Sequence, residues 1–343
     1  QNVDGKSSWS IPDFFFNQAE NDTPWDFSYV DTQINDGIAT ITINRPEAMN
    51  ALNETVVNQL GVAVKAVNAN ESVHTIVLDG AGKAFVAGAD VKFFVDKIRS
   101  DSIDDIVEFT SNGHKVLNSI ENSPKVTIAL TTGLALGGGL ELALCCDYRI
   151  GTRRTQFRFP ETSIGIYPGL GGSQRPARIS GIPLARWAVL GGNFMNAQTA
   201  YDIGLLTHLV DLADVDKATN NCVSSGKPSD KYSGKPANAD SNVVKFATDF
   251  YRDENLPILI SGGCPDGYDA EDKTISRQLK NLKYTAPIAL SMASELINIT
   301  ANTTLEQGLD SELAKLTDIF STKDALEGLS ALIEGRRATY QNS

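Results

Sequence analysis

The sequence predicts an α/β layered fold, and three observations carry that expectation. Strand-like and helix-like stretches alternate along most of the chain, which is how a sheet gains helical cover. The buried strand-like run Lys125-Val126-Thr127-Ile128-Ala129-Leu130 leads through a glycine cluster into an apolar helical stretch. The C-terminal stretch carries only helical spacing, with Leu305, Leu309, Leu313, Leu316 and Ile319, then Leu326, Leu329 and Leu332.

The elements follow in order. Residues 1–27 are polar and aromatic, with Trp9, Trp25 and Phe14-Phe15-Phe16, and read as an arm or linker. A strand pattern starts at Phe27-Ser28-Tyr29-Val30-Asp31. A second, Gly37-Ile38-Ala39-Thr40-Ile41-Thr42-Ile43-Asn44, alternates Ile with Thr or Ala. Residues 54–68 read as an amphipathic helix through Val56, Leu60, Val62, Val64 and Val67. His74-Thr75-Ile76-Val77-Leu78-Asp79-Gly80 is a strand, 103–121 a helix and 125–130 a strand. A helix over 140–146 and the short strand Tyr148-Arg149-Ile150-Gly151 follow. Two more helices are expected over 184–190 and 200–206. From 212 to 282 the composition turns polar, with Ser224-Ser225-Gly226-Lys227-Pro228 and Ser233-Gly234-Lys235-Pro236, and one helical island over 246–251. The expected organisation is an arm (1–27), a core (28–211), a partly helical insertion (212–282) and a C-terminal helical region (283–343).

Composition excludes several function classes. The chain has 343 residues, 41% hydrophobic, with 42 acidic against 30 basic residues and a net charge of −12. No basic stripe is present, which argues against nucleic acid and against an anionic membrane surface as partner. No run of 18 apolar residues is present, so no spanning helix is expected. The four cysteines lack metal-ligand spacing and are too few for a disulfide scaffold, which points to a reducing, intracellular compartment. Cys145 and Cys146 read as core. His74, His114 and His208 are scattered and read as structural, so no metal site is expected.

Two glutamates stand in glycine-rich frames. Glu141 closes Gly133-Leu134-Ala135-Leu136-Gly137-Gly138-Gly139-Leu140-Glu141. Glu161 follows Pro160 and opens Glu161-Thr162-Ser163-Ile164-Gly165-Ile166-Tyr167-Pro168-Gly169-Leu170-Gly171-Gly172. A glycine run that feeds a helix offers free backbone N–H groups, and a glutamate three residues on shares that face. The pattern suits acid–base chemistry beside an activated carbonyl.

These blocks, with Asn44-Arg45-Pro46-Glu47-Ala48-Met49-Asn50-Ala51-Leu52, Gly82-Lys83-Ala84-Phe85-Val86-Ala87-Gly88-Ala89-Asp90-Val91-Lys92 and Phe320-Ser321-Thr322-Lys323-Asp324-Ala325-Leu326-Glu327-Gly328, resemble the crotonase superfamily and, within it, the enoyl-CoA hydratases. The resemblance covers about 28–211 and 283–340. It implies a crotonase spiral of ββα units with a helical C-terminal region, assembled as trimers or dimers of trimers. It maps the oxyanion-hole amides to Ala89 and Gly138 and the two catalytic carboxyls to Glu141 and Glu161. Both carboxyls together imply hydration of trans-2-enoyl-CoA. A Δ3-Δ2 enoyl-CoA isomerase, another crotonase acting on a CoA thioester, and a non-catalytic scaffold subunit are the alternatives.

The resemblance makes coenzyme A part of the substrate and implies no separate cofactor. It puts the backbone near Ala48 and Met49 and the side chains of Lys83 and Lys92 by the CoA. It puts Ala87, Gly88, Asp90, Gly137, Pro160 and Gly169 along the substrate. Glu47 stands where the family more often carries Lys, so one phosphate contact is expected to be missing. The tail and the 212–282 stretch also resemble the hydratase half of fused archaeal 3-hydroxyacyl-CoA dehydrogenase/enoyl-CoA hydratase proteins. No G-x-G-x-x-G follows a strand here, so residues 1–27 are expected to be a linker from a fused or associated dehydrogenase. A cytoplasmic location is the matching expectation.

Overall fold

A computed structural model describes residues 27–343, so the arm expected over 1–27 lies outside the described residues apart from Phe27. The described residues open with a hairpin, β1 (Val30–Asn35) against β2 (Ile38–Ile43), turned through Asp36 and Gly37 at positive φ of 48° and 76°. The first strand lies three residues later than the Phe27 start read from the sequence. Its ladder ends at Val30 because Val30 pairs with Ile43, the last residue of β2. Helix α1 (Glu54–Ala69) is capped by Asn53, whose side chain accepts from Val56 N at 2.8 Å. Val57 and Ala63 face the core, and Val62 is only half-buried.

A ββα step then repeats. β3 (Thr75–Gly80) joins the hairpin, β4 (Ala84–Ala87) starts a second sheet, and α2 (Val91–Arg99) and α3 (Ile103–Glu121) follow. β5 (Val126–Thr131) joins the first sheet, β6 (Leu134–Leu136) joins the second, and α4 (Gly138–Cys145) follows. β7 (Tyr148–Gly151) and β8 (Gln156–Arg158) repeat the alternation. With β9 (Met195–Asn196) and β10 (His208–Leu209), the sheets run β1-β2-β3-β5-β7-β10 and β4-β6-β8-β9. The outer pairs β1/β2 and β8/β9 are antiparallel, and the rest are parallel. Crossing repeatedly from one sheet to the other winds the chain into a spiral.

Between β8 and β10 lie a single 3₁₀ turn (Glu161–Ile164), α5 (Arg175–Ser180), α6 (Ile182–Val189) and α7 (Ala197–Asp202). The 212–282 stretch is more helical than one island. It holds α8 (Val215–Ser225), α9 (Asn242–Phe250), α10 (Leu256–Ile260) and α11 (Lys273–Lys283). Its Val244, Phe250, Tyr251, Leu259 and Leu282 enter the main core, and Ala218 and Cys222 pack under Ile128 and Ile150. The C-terminal region is α12 (Pro287–Asn298), α13 (Leu305–Ala314), α14 (Leu316–Phe320) and α15 (Lys323–Glu334). Cys145 and Cys146 are buried, and all four thiols are free. Among the described residues no helix is long and apolar enough to cross a membrane.

Candidate active site

Two backbone amides converge where β4 ends and α4 begins. The segment after β4 is strapped to Leu52, which donates from N to Gly88 O at 2.9 Å and accepts at O from Asp90 N at 2.8 Å. Ala89 N, between them, finds no backbone acceptor among the described residues, and neither does Gly138 N at the first turn of α4. A methyl group added to Gly138 would lie 3.9 Å from Ala89 N and 3.4 Å from Leu52 Cδ1, narrowing the gap between the two donors. Gly137 turns the chain at φ 47°, and a methyl group there would meet Glu161 Oε1 at 2.3 Å. Glycine is required at that position for both reasons.

The carboxyl groups sit beside these donors. Glu141 follows Gly138 by three residues in α4 and is 2% exposed. Its Oε1 accepts from Leu170 N at 2.7 Å and from Gly172 N at 2.6 Å. Burial raises its pKa well above the usual carboxyl value, and the charges of Glu161 and Glu312 raise it further. Glu161, 7% exposed, opens the 3₁₀ turn after β8, and its Oε2 is buried with no hydrogen-bond partner among the described residues. Burial pushes its pKa up to about 8, against a partial lowering by Arg158.

One cavity of about 280 Å³ gathers Ala87, Gly88, Ala89, Gly137, Gly138, Glu141, Pro160, Glu161 and Gly169 on its wall. The rest of its lining is largely apolar, with Phe94, Phe109, Leu316 and Phe320 from α2, α3 and α14. The other five residues singled out from the sequence lie outside it. Ala48 and Met49 form a turn strapped to β4 through Ala87 N and Met49 O at 3.0 Å. Asp90 pairs with Arg45 at 3.1 Å. Lys83 and Lys92 are exposed.

Sequence reasoning missed a third buried carboxylate. Glu312 of α13 is fully buried and accepts from Gly171 N at 2.5 Å, from Ser173 N at 3.3 Å and from Ser173 Oγ. Four successive amides of the 170–173 loop therefore alternate between two carboxylates, 170 and 172 to Glu141, 171 and 173 to Glu312. His114 donates from Nε2 to Gly169 O at 2.7 Å, and that nitrogen is 3.4 Å from Glu312 Oε1. Arg175 ties the loop from behind, donating to Leu170 O at 2.9 Å while pairing with Glu121 at 2.7 Å. Lys231 of the 212–282 stretch completes that anchor at 2.9 Å from Glu121. Burial raises the Glu121 pKa, but Arg175 and Lys231 outweigh it and hold it at about 2.

Comparison with known proteins fits this geometry. A family model described as enoyl-CoA hydratase/isomerase matches residues 38–341. The chain belongs to the enoyl-CoA hydratase/isomerase family. A crotonyl-CoA hydratase of Syntrophomonas wolfei is 39% identical over 206 residues, 59% of this chain and 78% of the relative. A short-chain-enoyl-CoA hydratase of Clostridium acetobutylicum is 34% identical over 301 residues, 88% of this chain and 92% of the relative. Among solved structures, an enoyl-CoA hydratase from Rhodobacter sphaeroides shares the fold, with TM-score 0.75 and 23% identity across 89% of both chains. The crotonase spiral expected from the sequence is the fold of this family member.

Proposed function

We propose that this protein is an enoyl-CoA hydratase, adding water syn across the double bond of a trans-2-enoyl-CoA to give a 3-hydroxyacyl-CoA. The observation that carries the reading is that two free amides and two buried carboxyls face one cavity. The thioester oxygen accepts from Ala89 N and Gly138 N, which stabilise the enolate-like charge that develops there. Glu141 is the proposed base: the two N–H bonds it accepts favour its charged form against the burial that raises its pKa, and it takes a proton from the water attacking C3. Glu161, whose pKa is about 8, still holds its proton at neutral pH and delivers it to C2. The proton left on Glu141 resets the pair, which titrates as a unit. No oxidation state changes, so the step itself calls for no redox cofactor.

Coenzyme A enters as part of the substrate. Lys83 and Lys92 are the cations proposed for its phosphates, with the Ala48–Met49 turn and Asp90 near its arm. A trimer or dimer of trimers, a cytoplasmic location and a fused or associated 3-hydroxyacyl-CoA dehydrogenase belong to the same reading. Such a dehydrogenase would act on the product. The test is the loss of enoyl-thioester absorbance when the protein meets crotonyl-CoA. Wild type should hydrate it, and Glu141→Ala and Glu161→Ala should each lose about 10²–10⁴ in rate. Surviving isomerisation with lost hydration in Glu141→Ala would fit an isomerase. Wild type inert toward crotonyl-CoA and longer enoyl-CoAs would sink the hydratase reading.

A further inference from the structure

Arg158 ends β8, three residues before Glu161, and lines the same cavity. Its Nε donates to Gly192 O at 2.9 Å, and its Cζ stacks 4.8 Å from the Phe194 ring centroid. Those contacts fix the guanidinium plane but leave both terminal nitrogens without a hydrogen bond or ion pair among the described residues. The other inward-facing arginines differ. Arg175 pairs with Glu121 at 2.7 Å, Arg186 with Asp253 at 2.6 Å, and Arg149 Nη1 donates to Cys146 O at 2.9 Å. A half-buried guanidinium lacking a carboxylate partner is costly, since burial disfavours its charge. The same burial lowers the Arg158 pKa. Glu161 offsets this only in part: its charge favours the Arg158 cation, but the two form no ion pair or hydrogen bond among the described residues.

We propose that Arg158 is a specificity residue that binds a carboxylate on the acyl chain. The preferred substrates are then enoyl-CoAs with a second, terminal carboxylate, rather than plain alkyl enoyl-CoAs. The inference rests on the hydratase reading above. Within that reading, the thioester oxygen is engaged by Ala89 and Gly138. The CoA phosphates are held away from C3 by the pantetheine arm. The group left to meet Arg158 is the end of a short acyl chain. A planar fork of N–H donors matches a carboxylate bidentately, whereas an alkyl chain would desolvate the cation without compensation.

The test compares kcat/KM for glutaconyl-CoA, which carries a carboxylate on C4, with that for 5-methyl-2-hexenoyl-CoA, which puts an isopropyl group of the same shape there. Wild type, Arg158→Met and Arg158→Lys are assayed, with crotonyl-CoA as the common reference. Arg158 also bears on Glu161, but both substrates pass through the same proton transfers, so that effect cancels in the ratio. Wild type should favour glutaconyl-CoA by about tenfold or more. Arg158→Met should cut the ratio by about 10- to 100-fold, mainly through KM, and Arg158→Lys should retain part of it. A wild-type ratio near one, or a ratio unchanged in Arg158→Met, overturns this inference while crotonyl-CoA turnover leaves the hydratase reading standing. No turnover of any of the three overturns both.

Discussion

Replacing Glu161 by Gln removes a buried carboxyl group that resists ionisation, and the effect on stability should depend on pH in a set direction. The folded protein holds the Glu161 proton up to about pH 8, whereas an unfolded chain releases it near 4.5. Wild type thus has the full benefit below pH 4.5 and loses it progressively as pH rises through about 8. At 1.36 kcal/mol per pH unit, the interval from 4.5 to about 8 corresponds to at most about 5 kcal/mol. About 3–5 kcal/mol is therefore the expected effect of removing Glu161. An unfolding entropy of about 2.1 cal/mol/K per residue over 343 residues converts this to about 4–7 °C. The assay is thermal unfolding of wild type and Glu161→Gln at one protein concentration from pH 5 to pH 9.5. The variant's Tm should gain on wild type by about that amount across the range. A Tm difference that stays constant with pH would refute the claim that Glu161 is buried as a neutral acid.

Three further outcomes follow from the same geometry. kcat/KM for crotonyl-CoA should fall above about pH 8, where Glu161 loses the proton it must deliver; a flat profile to pH 9.5 would remove it as the acid. Gly137→Ala should cost about 1–3 kcal/mol in denaturant unfolding and reduce kcat more than it raises KM, since the new methyl group displaces Glu161 Oε1. Glu312→Gln removes one anchor of the 170–173 loop, so kcat should fall on the order of 10² with KM little changed. Loss of its charge should also move the alkaline limb of the pH profile to lower pH, because Glu312 raises the pKa of both Glu141 and Glu161. An unmoved limb would reduce Glu312 to a scaffold contact.

Much of the site was legible because its chemistry is local. Gly137, Gly138 and Glu141 lie within one turn of α4, and Pro160 and Glu161 are neighbours, so spacing alone brings each set together. The first sheet was legible for a related reason, since β2, β3 and β5 are six-residue strands dominated by Ile, Val, Leu and Thr. The second sheet was not. β6 and β8 have three residues each and β9 two, too short to display alternation, and they form by adding in turn to the sheet that β4 starts, β6 on β4, β8 on β6 and β9 on β8. Helix α4 starts two residues before the expected position because glycines at its first turn carry little penalty there. Glu312 was hidden for a different reason. Between Ser311 and Leu313 in α13 it looks like a solvent-facing glutamate, and only a loop about 140 positions earlier in the chain makes it a buried acceptor. Arg158 is masked likewise by a strand pattern that says nothing of the unpaired guanidinium above it.

The central claim is that two carboxyl groups on one wall of the cavity act on the two ends of the same double bond. Hydrating crotonyl-CoA in deuterium oxide and reading the relative configuration at C2 and C3 of the product by proton NMR tests this most directly. Delivery from one face predicts a single diastereomer with hydroxyl and deuterium added syn. Anti addition, or a mixture of the two diastereomers formed at the same rate, would contradict it.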